Sequence, residues 1–204
     1  MLQTFGLLSA VIFPISYFPY VRDTLRGKTK PERASWFIWA TLGAIAFFSQ
    51  LAKGATDSLW LSGLGTFCSI LIFLLSVRYG VGGFTKRDIV ALCVAGIGLL
   101  LWSVTKEPAV ALLLVIIVDA AGAYVTIVKS YENPESETLI TWFLDGTAGL
   151  LSALSVGSFN VILLAYPLYI CLANFATVGA ILLGKIHLKT RGRKPASQGQ
   201  ALRS

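Results

Sequence analysis

The chain has 204 residues, of which 55% are hydrophobic and 13% are charged, and its mean hydropathy is +0.74. A soluble domain carries about twice that charged fraction, so the composition excludes a soluble globular protein and indicates several membrane spans. The net charge of +7 has no soluble basic domain to present it, which argues against a nucleic-acid-binding function.

Seven apolar segments follow one another with short connections. Most reach the ~20 residues that are needed to cross a bilayer. We predict spans at 2–21, 34–52, 58–77, 89–104, 109–128, 138–156 and 160–184. The fourth is the shortest, which suits a linker helix. A single membrane domain is therefore expected over 1–184, followed by a basic and then Ser/Gln/Gly-rich tail, 185–204, that we expect to be disordered.

The basic residues are distributed unevenly between the predicted loops. All but two of the 17 Lys and Arg residues fall in 22–33, 78–88, 129–137 or the tail, and the exceptions are Lys53 and Lys106. Cytoplasmic loops carry an excess of Lys and Arg. The distribution predicts a multi-pass protein of the cell membrane, with the N-terminus outside and the C-terminus cytoplasmic. The basic face should also attract anionic lipid.

Two charged residues lie within the predicted spans, Asp119 and Asp145, each near the middle of its span. A carboxylate in hydrocarbon costs roughly 2.5–3.5 kcal/mol on insertion scales, so it is seldom kept without a use. No Lys, Arg or His lies within a span to neutralise them, so at least one carboxyl should hold a proton near neutral pH. The pattern predicts a proton-linked site, and two carboxyls in one cavity would titrate as a coupled pair. The alternative is a packing role, with each carboxyl bonded to a neighbouring hydroxyl.

The two halves of the chain resemble each other at an offset of 103 residues, which places Pro31 on Pro134 and Trp39 on Trp142. The same offset pairs Glu32 with Glu135, Gly43 with Gly146, Ser49 with Ser152, Gly54 with Gly157 and Cys68 with Cys171. These matches predict a duplicated three-helix unit in one orientation, a parallel repeat. The expected fold is an all-α membrane protein: seven transmembrane helices form two parallel three-helix bundles (about 2–77 and 108–184), joined by a linker helix (about 88–104).

Two short motifs carry a resemblance to a known family. They are Lys129-Ser130-x-Glu132 in the loop before span 6 and Leu144-Asp145-x-Thr147-x-Gly149 within it. With the 3+1+3 pattern, they resemble the PQ-loop and SWEET superfamily of transporters, and the second repeat resembles the lysosomal cystine transporter group. That resemblance implies a proton-coupling role for Asp145.

The chain departs from that family at two places. The Pro-Gln dipeptide is absent, because the corresponding positions read Pro19-Tyr20 and Gly122-Ala123. Ser62 stands where SWEET sugar carriers have a sugar-binding asparagine, so the resemblance implies a substrate-binding position there with altered chemistry.

Further site candidates come from polar, aromatic and proline residues within the spans. Trp39 and Trp142 occupy equivalent positions and could line a cavity as stacking walls, and Asn174 is a polar residue in the middle of span 7. Prolines in a helix interior remove a backbone hydrogen bond and kink the helix. They act either as tolerated kinks or as gating hinges, and they are Pro14, Pro19 and Pro167. Trp36 and Trp60, near span ends, are expected to be interfacial anchors.

The leading function is transport of a small polar solute by alternating access, coupled to protons through the intramembrane aspartates. The alternatives are a non-transporting seven-helix receptor or sorting protein of the same fold, and a facilitative sugar carrier. An enzyme is not expected, because His187, the single histidine, lies in the tail, although two aspartates leave an aspartyl protease formally open. The expected partners are a small solute, protons and lipid, with no cofactor or metal. The identity of the solute and formation of a homo-oligomer stay open.

Overall fold

The computed structural model describes residues 1–52, 59–105, 108–157 and 159–192. These ranges contain seven α-helices and one 3₁₀ turn at Pro134–Ser136. The helices are α1 (Leu2–Leu25), α2 (Arg33–Ala52), α3 (Leu59–Tyr79), α4 (Lys86–Val104), α5 (Pro108–Glu132), α6 (Leu139–Ser155) and α7 (Val161–Gly192). The all-α class is confirmed, with seven helices in the predicted order.

The exterior of the bundle is apolar. Within the described residues, three helical segments are long and apolar enough to cross a membrane, Leu2–Leu25, Leu112–Glu132 and Leu163–Thr190. Large hydrophobic side chains face outward along the helices; Phe18, for example, is 72% exposed. An apolar surface this extensive is a liability in water and is expected where lipid covers it. The chain is therefore a membrane protein.

The helices pack in a regular set of pairs. α3 contacts both α1 and α2, and α7 contacts both α5 and α6. Among the described residues, the backbone of α1 does not come close to that of α2, nor the backbone of α5 to that of α6. Two further pairs, α1 with α6 and α2 with α5, join the groups, and α4 packs against α5 and α2. Helices α1, α2, α5 and α6 thereby surround the centre of the bundle.

Three of the connections meet at one end of the bundle. The Lys30 N–H donates to the Ser136 carbonyl (2.9 Å), which joins the α1–α2 and α5–α6 connections. The Val81 N–H donates to the Pro31 carbonyl (2.9 Å), which adds the α3–α4 connection. Together with the C-terminal part of α7 they form what we call the basic end. Lys53 and Lys106, the two basic residues predicted to lie opposite, are outside the described residues.

The predicted disordered tail is partly wrong, because α7 continues to Gly192 instead of ending at 184. Lys189 lies in its last turn, where a cation interacts favourably with the carbonyl end of the helix. The His187 ring also packs on Tyr131 at the end of α5, with ring centroids 5.8 Å apart. Apolar composition, from which the span was predicted, ends before helical hydrogen bonding does. Residues 193–204 lie outside the described part of the chain.

Candidate functional site

A cavity of about 660 Å³ lies in the centre of the bundle. All seven helices contribute to its wall, α4 through Leu99 alone. The predicted site residues Asp119, Asp145, Trp39, Trp142 and Asn174 all line it, so the structure brings together side chains that are far apart in sequence. Pro167 lines it as well. A volume of this size is typical of small-molecule sites.

Asp119 is held from two other helices. The Tyr169 hydroxyl of α7 donates to an Asp119 carboxylate oxygen at 2.5 Å. The Trp39 side chain of α2 lies beside the same carboxylate. Gly122, one turn further along α5, lets Trp39 approach, because a Cβ on Gly122 would lie 3.2 Å from the indole nitrogen. The aspartate therefore faces the cavity across a junction of α2, α5 and α7.

Asp145 is bonded to α1. The Ser16 hydroxyl lies within hydrogen-bonding distance of Asp145 Oδ1 and of the Phe13 carbonyl, the latter at 2.7 Å. The Ser16 hydroxyl therefore links the Asp145 carboxyl to the backbone of α1. Asp145 is 8% exposed, so its carboxyl is largely shielded from solvent.

The cavity has an aromatic floor on the side of the basic end, which we define as Tyr17, Tyr20, Trp36, Trp39 and Trp142. Ring centroids lie 5.0 Å apart for Trp36 and Trp39 and 6.0 Å apart for Trp39 and Trp142. The Trp36 indole N–H donates to the Tyr20 hydroxyl at 3.1 Å. Trp36 is 4% exposed, so its expected role as an interfacial anchor is wrong. It faces the bundle interior because α2 turns this side chain toward α1 and α6.

A buried polar network lies beneath the floor. The Lys129 ammonium of α5 pairs with the Glu137 carboxylate that precedes α6, and it donates to the Lys30 carbonyl at 2.5 Å. Glu137 also accepts the Trp142 indole N–H at 2.9 Å. Lys129 and Glu137 are both buried. The network thus joins the α1–α2 connection, α5 and α6, and with the floor it closes the cavity at the basic end.

The remaining predicted residues have other placements. Asn174 donates its side-chain amide to the Ile170 carbonyl within α7 at 2.8 Å. Pro14 and Pro19 lie inside α1, which stays helical through both, and neither lines the cavity. Ser62 lies in α3, but its side chain is outside the described residues, as is that of Trp60.

The sequence reasoning did not identify Ser16, Tyr17 or Tyr169. Ser16 had a usable signal, because the 103-residue offset places it on Asp119. The two residues therefore occupy corresponding positions in the predicted repeat. No such signal marked Tyr17 or Tyr169, because an aromatic residue in an apolar helix is equally consistent with ordinary packing.

The charged groups among the described lining residues of the cavity are all acidic. Its lining contains two carboxyl groups, while Lys, Arg and His are absent from the lining residues that the structure describes. Within the described ranges, no three His, Cys, Asp or Glu side chains come together as a bound metal would require.

Comparison of the chain with protein-family models, curated proteins and solved structures finds no match.

Proposed function

We propose that this protein is a transporter that moves a small polar solute by alternating access, with protons coupled through Asp145 and Asp119. The observation that carries the proposal is the central cavity. It lies at the depth where both aspartates occur, it is built from both halves of the chain, and it is closed at the basic end by the aromatic floor and the Lys129–Glu137 network.

The helix contacts support a duplicated 3+1+3 architecture. Exchanging α1, α2 and α3 for α5, α6 and α7 converts the α1–α3 and α2–α3 contacts into α5–α7 and α6–α7. The same exchange converts the α1–α6 contact into α2–α5. This is the contact set expected of two equivalent bundles that face each other, with α4 as the linker. Transporters with parallel repeats place the solute at the interface between the repeats.

Proton coupling is supported by the contacts of the two aspartates. Asp145 and Ser16 join α6 to α1, one half of the chain to the other. Asp119 lies beside Trp39 of α2 and so also spans the halves. A change in the charge of either carboxyl therefore alters the interface that must rearrange when the cavity changes sides.

The transport test is flux in proteoliposomes. Purified protein is reconstituted, a pH gradient is imposed, and uptake of amino acids, sugars, amines and vitamins is followed along with internal pH. Solute uptake that dissipates the gradient supports a coupled carrier. Uptake without proton movement supports the facilitative alternative. If a solute binds but no member of the panel is taken up, transport is contradicted and the receptor hypothesis is favoured.

The proposal also includes the topology: the chain crosses the membrane seven times, and the basic end lies in the cytoplasm. Single cysteines at Lys53 and Lys86 in an otherwise cysteine-free variant test it. We expect Lys86→Cys to be labelled from the cytoplasmic side and Lys53→Cys from outside. Cytoplasmic labelling at Lys53 would reverse the orientation.

A further inference from the structure

The chemistry of the cavity wall is selective for one class of solute. Two carboxyl groups face the cavity, and among its described lining residues no side chain is cationic. A bound anion would meet like charge, whereas a cation would neutralise a group that is costly to keep charged in this setting.

Several hydrogen-bond donors of the wall are already bonded within the protein. The Ser9 hydroxyl donates to the Ala148 carbonyl at 2.8 Å, and the Thr177 hydroxyl to the Ala173 carbonyl at 3.0 Å. The Asn174 amide donates to the Ile170 carbonyl. A solute carboxylate would thus find no cation among these lining residues, and burying it without a counter-charge would be costly.

The floor supplies a surface for an organic cation. Tyr17, Trp36, Trp39 and Trp142 form one contiguous group, with Trp39 placed beside Asp119. Aromatic faces attract alkylammonium groups through the ring quadrupole. An inorganic ion is more strongly hydrated and has no alkyl groups to pack on these rings, so it would gain less from them.

We propose that the cavity binds an organic monocation that has no carboxylate, such as a primary or quaternary amine. Its ammonium group pairs with the cavity carboxylates and its alkyl substituents pack on the aromatic floor. The inference rests on the proposed function, since this cation is then the solute carried. Cation and proton compete for the same carboxyls, so the bound amine displaces protons and the exchange is an antiport.

Binding to purified protein tests the solute class separately from transport. Three probes of matched shape are compared by thermal shift and tryptophan fluorescence: choline, its neutral isostere 3,3-dimethyl-1-butanol, and glycine betaine, which adds a carboxylate. We expect choline to bind at least about tenfold more tightly than either of the others at mildly alkaline pH, and more weakly as the pH falls. The proposal would be overturned if the neutral isostere bound as tightly as choline, or if betaine bound more tightly. It would also be overturned if sodium chloride produced the same response as choline, or if neither choline nor tetramethylammonium produced a response.

Variants locate the binding. Asp119→Asn and Asp145→Asn should each weaken choline binding, whereas Glu132→Gln, which removes an exposed carboxylate from the basic end, should not. Trp39→Leu should weaken it more than Trp39→Phe, and Phe18→Leu on the outer surface should leave it unchanged. If Glu132→Gln matches the cavity variants, the binding is nonspecific and the proposal fails.

Transport is scored separately. If choline binds but no solute is taken up, the proposed solute class stands and the proposed transport function fails. Proton-coupled uptake restricted to a sugar or a zwitterion retains the transporter and rejects the solute class.

Discussion

The Lys129 ammonium at the end of α5 and the Glu137 carboxylate just before α6 form an ion pair that is buried at the basic end of the bundle. Lys129 also donates to the Lys30 carbonyl, and Glu137 accepts the Trp142 indole N–H. The pair therefore connects the aromatic floor to the α1–α2 connection and to the residues just before α6.

Lys129→Met should destabilise the protein by about 3–5 kcal/mol, because it leaves a buried carboxylate without its cation. The double variant Lys129→Met/Glu137→Gln should lose less than Lys129→Met alone, since both charges are then absent. Thermal unfolding in detergent measures both effects. Glu132→Gln is the matched control, because its ion pair with Arg87 is exposed and contributes about 0–1 kcal/mol. A double variant that loses as much stability as Lys129→Met alone, or more, would contradict the pairing.

Asp145→Asn should abolish proton movement driven by solute while exchange between equal solute pools survives. Asparagine keeps the shape of the protonated carboxyl and cannot titrate. The melting temperature should stay near the wild-type value or rise, because a desolvated charge is no longer possible. The measurement is internal pH and solute flux in proteoliposomes, and Asp119→Asn should have a milder effect. Unchanged proton flux in Asp145→Asn would assign this residue a packing role.

Pro19→Ala should slow the interconversion of cavity states more than it weakens solute binding. Pro19 lies inside α1 next to Tyr20 of the floor, and proline removes one helical hydrogen bond. Restoring that bond stiffens the helix without touching the cavity wall. Exchange rates and binding constants measured on the same preparation separate the two effects. Weaker binding at an unchanged exchange rate would place Pro19 in the site.

Gly149→Ala should destabilise the α6–α7 contact. A Cβ at this position would lie 2.6 Å from the Cys171 backbone nitrogen and 3.0 Å from its Cα, and backbone atoms cannot move aside as a flexible side chain can. Gly179→Ala is the control, because a Cβ there has nothing within 4 Å. The control should be neutral or more stable by up to about 1 kcal/mol, the gain in helix propensity. Equal melting temperatures for the two variants would contradict the packing.

Glu32 predicts a pH dependence of stability at the basic end. It lies just before α2 and is 2% exposed, and its Oε2 accepts the Ser35 N–H at 2.8 Å, while its Oε1 is buried without a partner. Burial raises the pKa of this carboxyl above its ordinary value of 4.5, and the neighbouring Asp88 adds to the effect. A raised pKa in the folded state means that the folded protein binds the proton more tightly than the unfolded chain does.

The contribution of Glu32 to stability should therefore fall as the pH rises from about 4.5 through its raised pKa. Glu32→Gln keeps an oxygen for Ser35 and removes the titration. In the variant, the melting temperature should therefore change less with pH over this range than it does in the wild-type protein. Identical slopes in the two proteins would show that Glu32 does not titrate in that range.

The sequence by itself determined the all-α membrane class, the order of the seven helices and the placement of Asp119 and Asp145 inside apolar helices. These follow from composition and hydropathy, which are local properties of the chain. The 103-residue offset also located Trp39 and Trp142 correctly on the cavity. It failed locally at Glu32 and Glu135: Glu32 is buried, whereas Glu135 is exposed and Glu137, two residues on, takes the buried place.

Only the tertiary structure decided which side chains meet. Ser16 with Asp145 and Tyr169 with Asp119 are contacts between residues 129 and 50 positions apart. The burial of Trp36 and the Lys129–Glu137 pair likewise depend on how helices pack and how loops meet. A hydrophobic helix shows little amphipathic contrast when both lipid and core are apolar, so its sequence does not reveal which face turns inward. Packing between the helices selects that face, and with it the cavity.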